Sequence, residues 1–299
     1  MLMEKYRIKK VIAVTVLLLS LAVMAFTGTR LYIAERINQD SDRSYEHIIQ
    51  QVRGPARNAV TYPTPPVAQK TAPDLNVQET QAGMEGFPLI GNMSADSAGS
   101  GSLASVRERV HVPMLDINFH ALKSMNEDAV AWLYLPGSVI DYPVMKADDY
   151  SYYLYHLPDG TKNANGSLFI DYATAPDFSE RLTVIHGHHM RSGRMFGGLV
   201  NYKDQNYYEQ NPYMYLYGPD NNYRIDLIYG CVIAMGQWRE RAFMYADNLD
   251  SFLAFAERGT TFKSNVQAEP GDRFIALSTC SYEFDNARYV VLGVLREAF

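Results

Sequence analysis

Residues 11–29 read VIAVTVLLLSLAVMAFTGT, nineteen positions without a charged side chain. As a helix they extend roughly 28 Å, close to the hydrocarbon thickness of a bilayer. Lys5, Arg7, Lys9 and Lys10 precede the run against a single Glu4, a bias that keeps the N-terminus cytoplasmic and sends everything after Arg30 outside. A cleaved signal peptide is the competing reading, with Ala25 near a possible cut, but the run is long for an h-region and no A-x-A site follows it. In both cases the body of the protein is exported. The expected location is the cell membrane, crossed once, with residues 1–34 as a cytoplasmic basic tip and signal-anchor.

Residues 35–109 are expected to form a juxtamembrane segment and flexible linker. Leu31 to Val52 can continue as a polar helix. Between Gln50 and Ser105, Gly and Pro each occur six times, and the stretches YPTPPVAQKTAP and SADSAGSGS hold little to bury. Such a segment cannot offset its ordering entropy with apolar burial. The third part, residues 110–299, is the folded domain. Its 190 residues are enough for one independent core. A formal charge of −6 argues against a general nucleic-acid binder, and two cysteines exclude a disulfide-stapled scaffold.

Within that domain, apolar runs bounded by Gly, Pro, Asn or Asp predict strands at 129–135, 139–145, 167–172, 181–185, 213–218, 223–235, 272–278 and 288–295. Eight short strands with little helix between them predict a mainly β fold, a closed or nearly closed barrel rather than a βαβ sheet. The 22 tyrosines suit half-wet strand positions. Helical spacing predicts a short helix at 117–125 capped by Asp116. A second falls at 248–258, with Asp247 at its start and Gly259 at its end.

Cys231 lies inside an apolar strand and reads as core filler. Cys280 ends the run FIALSTC and is followed by the seven-residue polar loop SYEFDNA, after which Arg288 opens the next strand. If those strands pair as a hairpin, Cys280 and Arg288 are neighbours at one end of the sheet. A guanidinium there offers fixed donors to a developing oxyanion, or else merely salts the strand end. His47, His111, His120 and His156 are scattered and read as ordinary residues. His186, His188 and His189 cluster in VIHGHHM, just past the strand RLTVI, where side chains are displayed on a rigid scaffold. A His-x-His metal site would need third and fourth ligands, and no Asp, Glu or Cys motif stands nearby, so no metal and no organic cofactor is expected. One thiol, one imidazole and one oxyanion donor are the parts of a Cys-His active site.

The residues ALSTC (276–280), SYEFDNARYVVLG (281–293), IHGHHMRSGRMFGGL (185–199), AWLYLPGSVIDYPVM (131–145) and NANGSLFIDY (163–172) together resemble the class B sortases, from about Asp116 to the C-terminus. Ala276 stands where Thr is common, and His186 and His189 replace the usual Tyr and Asn around the histidine. The resemblance implies an eight-stranded sortase-type barrel with an N-terminal helix and a helix before the nucleophile strand. Residue by residue it implies Cys280 as nucleophile, His188 as catalytic histidine and Arg288 as catalytic arginine, the last aided by a backbone N–H near Ser281. Ser278 shares the strand face of Cys280 and, with Ser281, is a candidate substrate-binding residue.

The implied activity is that of a membrane-anchored transpeptidase, a thiol protease in its first half-reaction, that anchors proteins to a Gram-positive cell wall. It cleaves a C-terminal sorting signal of surface proteins at Thr through a thioester and passes the acyl group to a peptidoglycan precursor or cross-bridge amine. A secreted cysteine peptidase of wall peptides, a pilin-joining sortase and a non-catalytic receptor are the alternatives.

Overall fold

The computed structural model describes residues 2–53, 115–241 and 243–298; the expected linker from residue 54 onward, and His111 and Asp116's neighbours up to residue 114, lie outside the described residues. The chain opens with one unbroken helix, α1 (Leu2–Val52), which passes through residue 34 without interruption. Its large apolar side chains from Ile12 to Ile33 are exposed, whereas Ser41, Tyr45, Ile48 and Val52 are buried. One helix thus carries two segments of opposite character, and the second packs on the folded domain.

Eight strands follow: β1 (Ala129–Tyr134), β2 (Asp141–Met145), β3 (Leu168–Ile170), β4 (Leu182–His186), β5 (Tyr213–Tyr217), β6 (Asn222–Ala234), β7 (Arg273–Cys280) and β8 (Ala287–Glu297). They close into a barrel in the order β1-β2-β3-β4-β7-β8-β6-β5. The pairs β2/β3 and β4/β7 are parallel and the rest antiparallel. All eight expected strands are present, so the fold is mainly β as the sequence predicts.

Alternation along the strands sorts side chains onto two faces. Ile185, Ile275, Leu277 and Val291 fill the barrel. Val184, Ala276, Val290 and Leu292 point outward, yet they too are buried. Helix α5 (Leu249–Arg258) covers them through Leu249, Phe252 and Ala256, one stripe at helical spacing. Trp238 from α4 (Met235–Glu240) meets Phe252 edge-on at 5.3 Å. With both faces covered, β7 reads as a nearly continuous apolar run, which is why it was legible as a strand. Removing a ring such as Phe252 would cost about 3–5 kcal/mol.

Several details differ from the sequence expectations. Helix α2 (Phe119–Met125) is capped by Asn118, whose side chain accepts from the N–H of Ala121, and not by Asp116. Ile117 is instead drawn into a bridge with Arg53. Helix α5 has no side-chain cap from Asp247, because a 3-10 turn (Ala246–Asn248) leads straight into it. The strand expected to reach 235 ends at Ala234, where α4 begins. Helix α3 (Gln205–Gln210), capped by Asp204, was not anticipated either. At six residues each, α3 and α4 are too short to show a helical period.

Candidate active site

The C-terminal ends of β4 and β7 and the start of β8 lie at one rim of the barrel, because β4 and β7 run parallel and β8 returns antiparallel. Cys280, the last residue of β7, is directly opposite Arg288 in the β7/β8 ladder. On the other flank, His186 is opposite Ser278. The ladder extends one step beyond β4. The N–H of Gly187 donates to the carbonyl of Ser278 at 3.1 Å, and the Thr279 hydroxyl donates to the Gly187 carbonyl at 2.9 Å. That extension brings His188 level with Cys280. The backbone positions of Cys280 and Arg288 are thus paired on adjacent strands, and the backbone of His188 follows on the column at the other side of Cys280. Cys280, His188 and Arg288 are all half-buried, open enough to meet a ligand.

The close approach at Gly187 depends on its missing side chain. A Cβ there would lie 2.5 Å from Leu168 Cδ2 and 2.7 Å from Phe196 Cδ2. The chain after β4 can run tight against the barrel wall only with glycine at this step.

The three clustered histidines do not act as one ligand set. His186 is fully buried, between Phe169 (ring centroids 5.3 Å apart) and Tyr150 (5.1 Å). Burial, and secondarily the nearby positive charge of Arg288, push its pKa down to about 3, so it is neutral at physiological pH. His188 Nε2 faces the carbonyl of Leu154 at 2.8 Å. A carbonyl only accepts, so Nε2 carries a proton and donates it there, which leaves Nδ1 as the ring nitrogen not engaged by this contact. His189 Nδ1 faces the carbonyl of Cys280 at 2.8 Å; it must donate there, and it steadies the main chain of the cysteine.

A cleft of about 520 Å³ opens beside the rim, lined by Met235, Cys280, Arg288 and the loop 281–287 between them. Tyr150 stands near Arg288 and Cys280; burial raises its pKa while the Arg288 charge works against that rise. Cys231 is elsewhere, packed under α5, with its thiol pushed up to about 12 by burial.

Ser278 is 1% exposed and lies beneath Cys280 on the same strand face. Ser281 is buried, and its hydroxyl bonds Glu283, which also pairs with Lys203. The Ser281 N–H donates to the Ala287 carbonyl at 2.9 Å. That N–H closes the β7/β8 loop, so an oxyanion donor near Ser281 would have to be another backbone N–H. Sequence reasoning did not find Tyr150, the Leu154 carbonyl or the His189 contact. Nothing marks them locally, because their roles arise only when segments far apart in the chain meet.

Comparison with known proteins gives a consistent picture. The chain is 31% identical over 178 residues to Sortase B of Listeria monocytogenes, across 58% of this chain and 72% of that protein. It superposes on the Clostridium perfringens Sortase B structure with a TM-score of 0.55 at 26% identity, covering 59% of this chain and 98% of that one. A Staphylococcus aureus sortase B-substrate complex matches with a TM-score of 0.56 at 23% identity, over 61% of this chain and 86% of that one, a likeness of fold. No family model matches the chain.

Proposed function

Since this chain belongs to the class B sortases and is a sortase-type cysteine transpeptidase, we propose that it works from a membrane anchor on exported surface proteins, cutting a C-terminal sorting signal at Thr and transferring the acyl group to a peptidoglycan-type amine. Residues 1–34 serve as the anchor with the N-terminus cytoplasmic, 35–109 as juxtamembrane segment and linker, and 110–299 as the extracellular catalytic domain. The exposed apolar helix from Ile12 to Ile33 and the basic residues before it support this topology.

In the proposed mechanism Cys280 gives its thiol proton to the His188 imidazole, and the resulting thiolate attacks the threonine carbonyl. The tetrahedral intermediate carries its negative charge against the Arg288 guanidinium, which is fixed by its strand position. As the C–N bond breaks, His188 gives a proton to the departing amine and a thioester remains. The incoming amine then attacks the thioester, His188 takes its proton, and the thiolate is released with a new amide. The single observation that carries this reading is the alignment of the Cys280–Arg288 ladder pair with His188 on the neighbouring column. Ser278 and Ser281 contribute to substrate binding, the first under the nucleophile and the second by bracing the loop through Glu283.

The test is mass spectrometry of products from a panel of sorting-signal peptides, with and without a wall-type amine. Cys280→Ala should abolish cleavage with the fold retained; turnover in that variant would overturn the assignment. Hydrolysis alone at every amine concentration would favour a wall peptidase.

A further inference from the structure

The docked half of α1 touches both supports of His188. On one side is the loop that carries the residue. The carbonyl of His188 accepts from the N–H of Phe196 at 3.0 Å, and His189 bridges to Met195, so residues 188–196 leave the strand end and return beside it. Met195 closes this return with φ +51°, a left-handed conformation that a methionine adopts only where its surroundings enforce it. Met195 is fully buried. Next to it, Arg194 makes a two-pronged ion pair with Asp42 of α1, Nε to Oδ1 at 2.6 Å and Nη2 to Oδ2 at 2.5 Å.

On the other side is the segment whose Leu154 carbonyl grips the His188 ring. The chain returning past it packs so closely that a Cβ on Gly166 would lie 2.8 Å from that same Leu154 oxygen, and the N–H of Ser167 donates to the carbonyl of Tyr153 at 2.9 Å. Tyr45 of α1 reaches both sides with one hydroxyl, which donates to the Gly166 carbonyl at 3.0 Å and lies 3.8 Å from Met195 Sδ. Its ring packs edge-on against Tyr142 at 4.9 Å. Ser44 and Asn38 add bonds to Asp159 and Asn165 of the same segment.

We propose that the docked end of α1 is a positioning element of the active site, in which Asp42 and Tyr45 lock the loop and the carbonyl that together aim His188 at Cys280. This rests on the catalytic role given to His188 above. Cys280 and Arg288 do not depend on α1, since the β7/β8 ladder holds them. Loss of the clamp therefore disturbs the imidazole alone, and the helix that links barrel to anchor doubles as a catalytic brace.

The test uses the full chain in detergent micelles, with Asp42→Asn, Tyr45→Phe, the double variant, Asp42→Glu and His188→Ala, assayed with a cleavable sorting-signal peptide at a temperature where circular dichroism shows every variant folded. Each single variant should lower kcat about tenfold and the double about a hundredfold, in keeping with the cost of misplacing a catalytic group by about 1 Å. KM should stay within about twofold, because loss of transition-state contact alone leaves ground-state binding intact. The pH–rate limb that disappears in a His188-dependent manner should shift in the double variant, and Asp42→Glu should recover part of kcat. Wild-type kcat in the double variant, or a loss of kcat matched by an equal rise in KM with an unmoved pH profile, would overturn the proposal. Wild-type turnover in His188→Ala would instead refute the role of the histidine itself, so the two failures are distinguishable.

Discussion

Gly187→Ala isolates how closely the fold controls the site. The added methyl would lie 2.5 Å from Leu168 Cδ2, 2.7 Å from Phe196 Cδ2 and 2.9 Å from Phe196 Cγ, where carbon atoms in contact normally sit about 3.5–4.0 Å apart. The shortfall is about 1 Å on two sides. Leu168 and Phe196 are both 0% exposed, so neither can swing into solvent. Overpacking of this kind costs about 1–3 kcal/mol, and at about 2–4 °C per kcal/mol for a domain of this size the unfolding midpoint should fall by about 2–12 °C. The backbone must give as well. Gly187 anchors the step that sets His188 level with Cys280, through its N–H to Ser278 and its carbonyl to Thr279. A displacement of about 1 Å there should lower kcat about a hundredfold. Gly198→Ala is the matched control, because its nearest atom is 3.9 Å from the added carbon and its backbone is already right-handed helical; it should leave both midpoint and kcat close to wild type. Thermal unfolding by circular dichroism and peptide cleavage well below the transition measure the two effects. Wild-type kcat in Gly187→Ala would refute the claim that this contact fixes the histidine.

Native protein treated with iodoacetamide should be alkylated at Cys280 only, Cys231 reacting once denaturant is added, since burial leaves it 1% exposed and pushes its pKa to about 12; peptide mapping checks this, and native labelling of Cys231 would contradict its place under α5. Arg288→Lys should lower kcat about a hundredfold or more with the unfolding midpoint little changed, because a point charge does not replace the guanidinium fork; an unaltered kcat would remove Arg288 from the oxyanion role. Burial pushes the His186 pKa from its ordinary 6.5 down to about 3, so between those values the unfolded chain binds a proton that the folded one refuses. Stability from this group is complete above pH 6.5 and declines as pH falls toward 3. His186→Phe should flatten the unfolding midpoint between pH 6.5 and 5, and equal slopes in the two proteins would show that His186 is not buried neutral.

Much of the molecule was legible in the sequence because it is written locally. The eight strands show as apolar runs between turn residues, α5 as a stripe of Leu249, Phe252 and Ala256, and the apolar run of α1 by length alone. The ladder partnership of Cys280 and Arg288 also follows from a short loop between two strands, since a hairpin leaves its flanking residues side by side. Tertiary structure decided the rest, because it depends on contacts between segments far apart in the chain. Which carbonyl holds His188 was settled by packing 34 residues away. The burial of His186 against Tyr150 and Phe169, and the spending of the Ser281 N–H on Ala287, have no local signature either. The clearest case is α1. Its amino acids specify a helix, but only the closed barrel offers Arg194, Gly166 and Met195 on one surface for Asp42 and Tyr45 to grip. Helix formation is encoded within a few residues, whereas a side chain's partner exists only after distant strands have assembled.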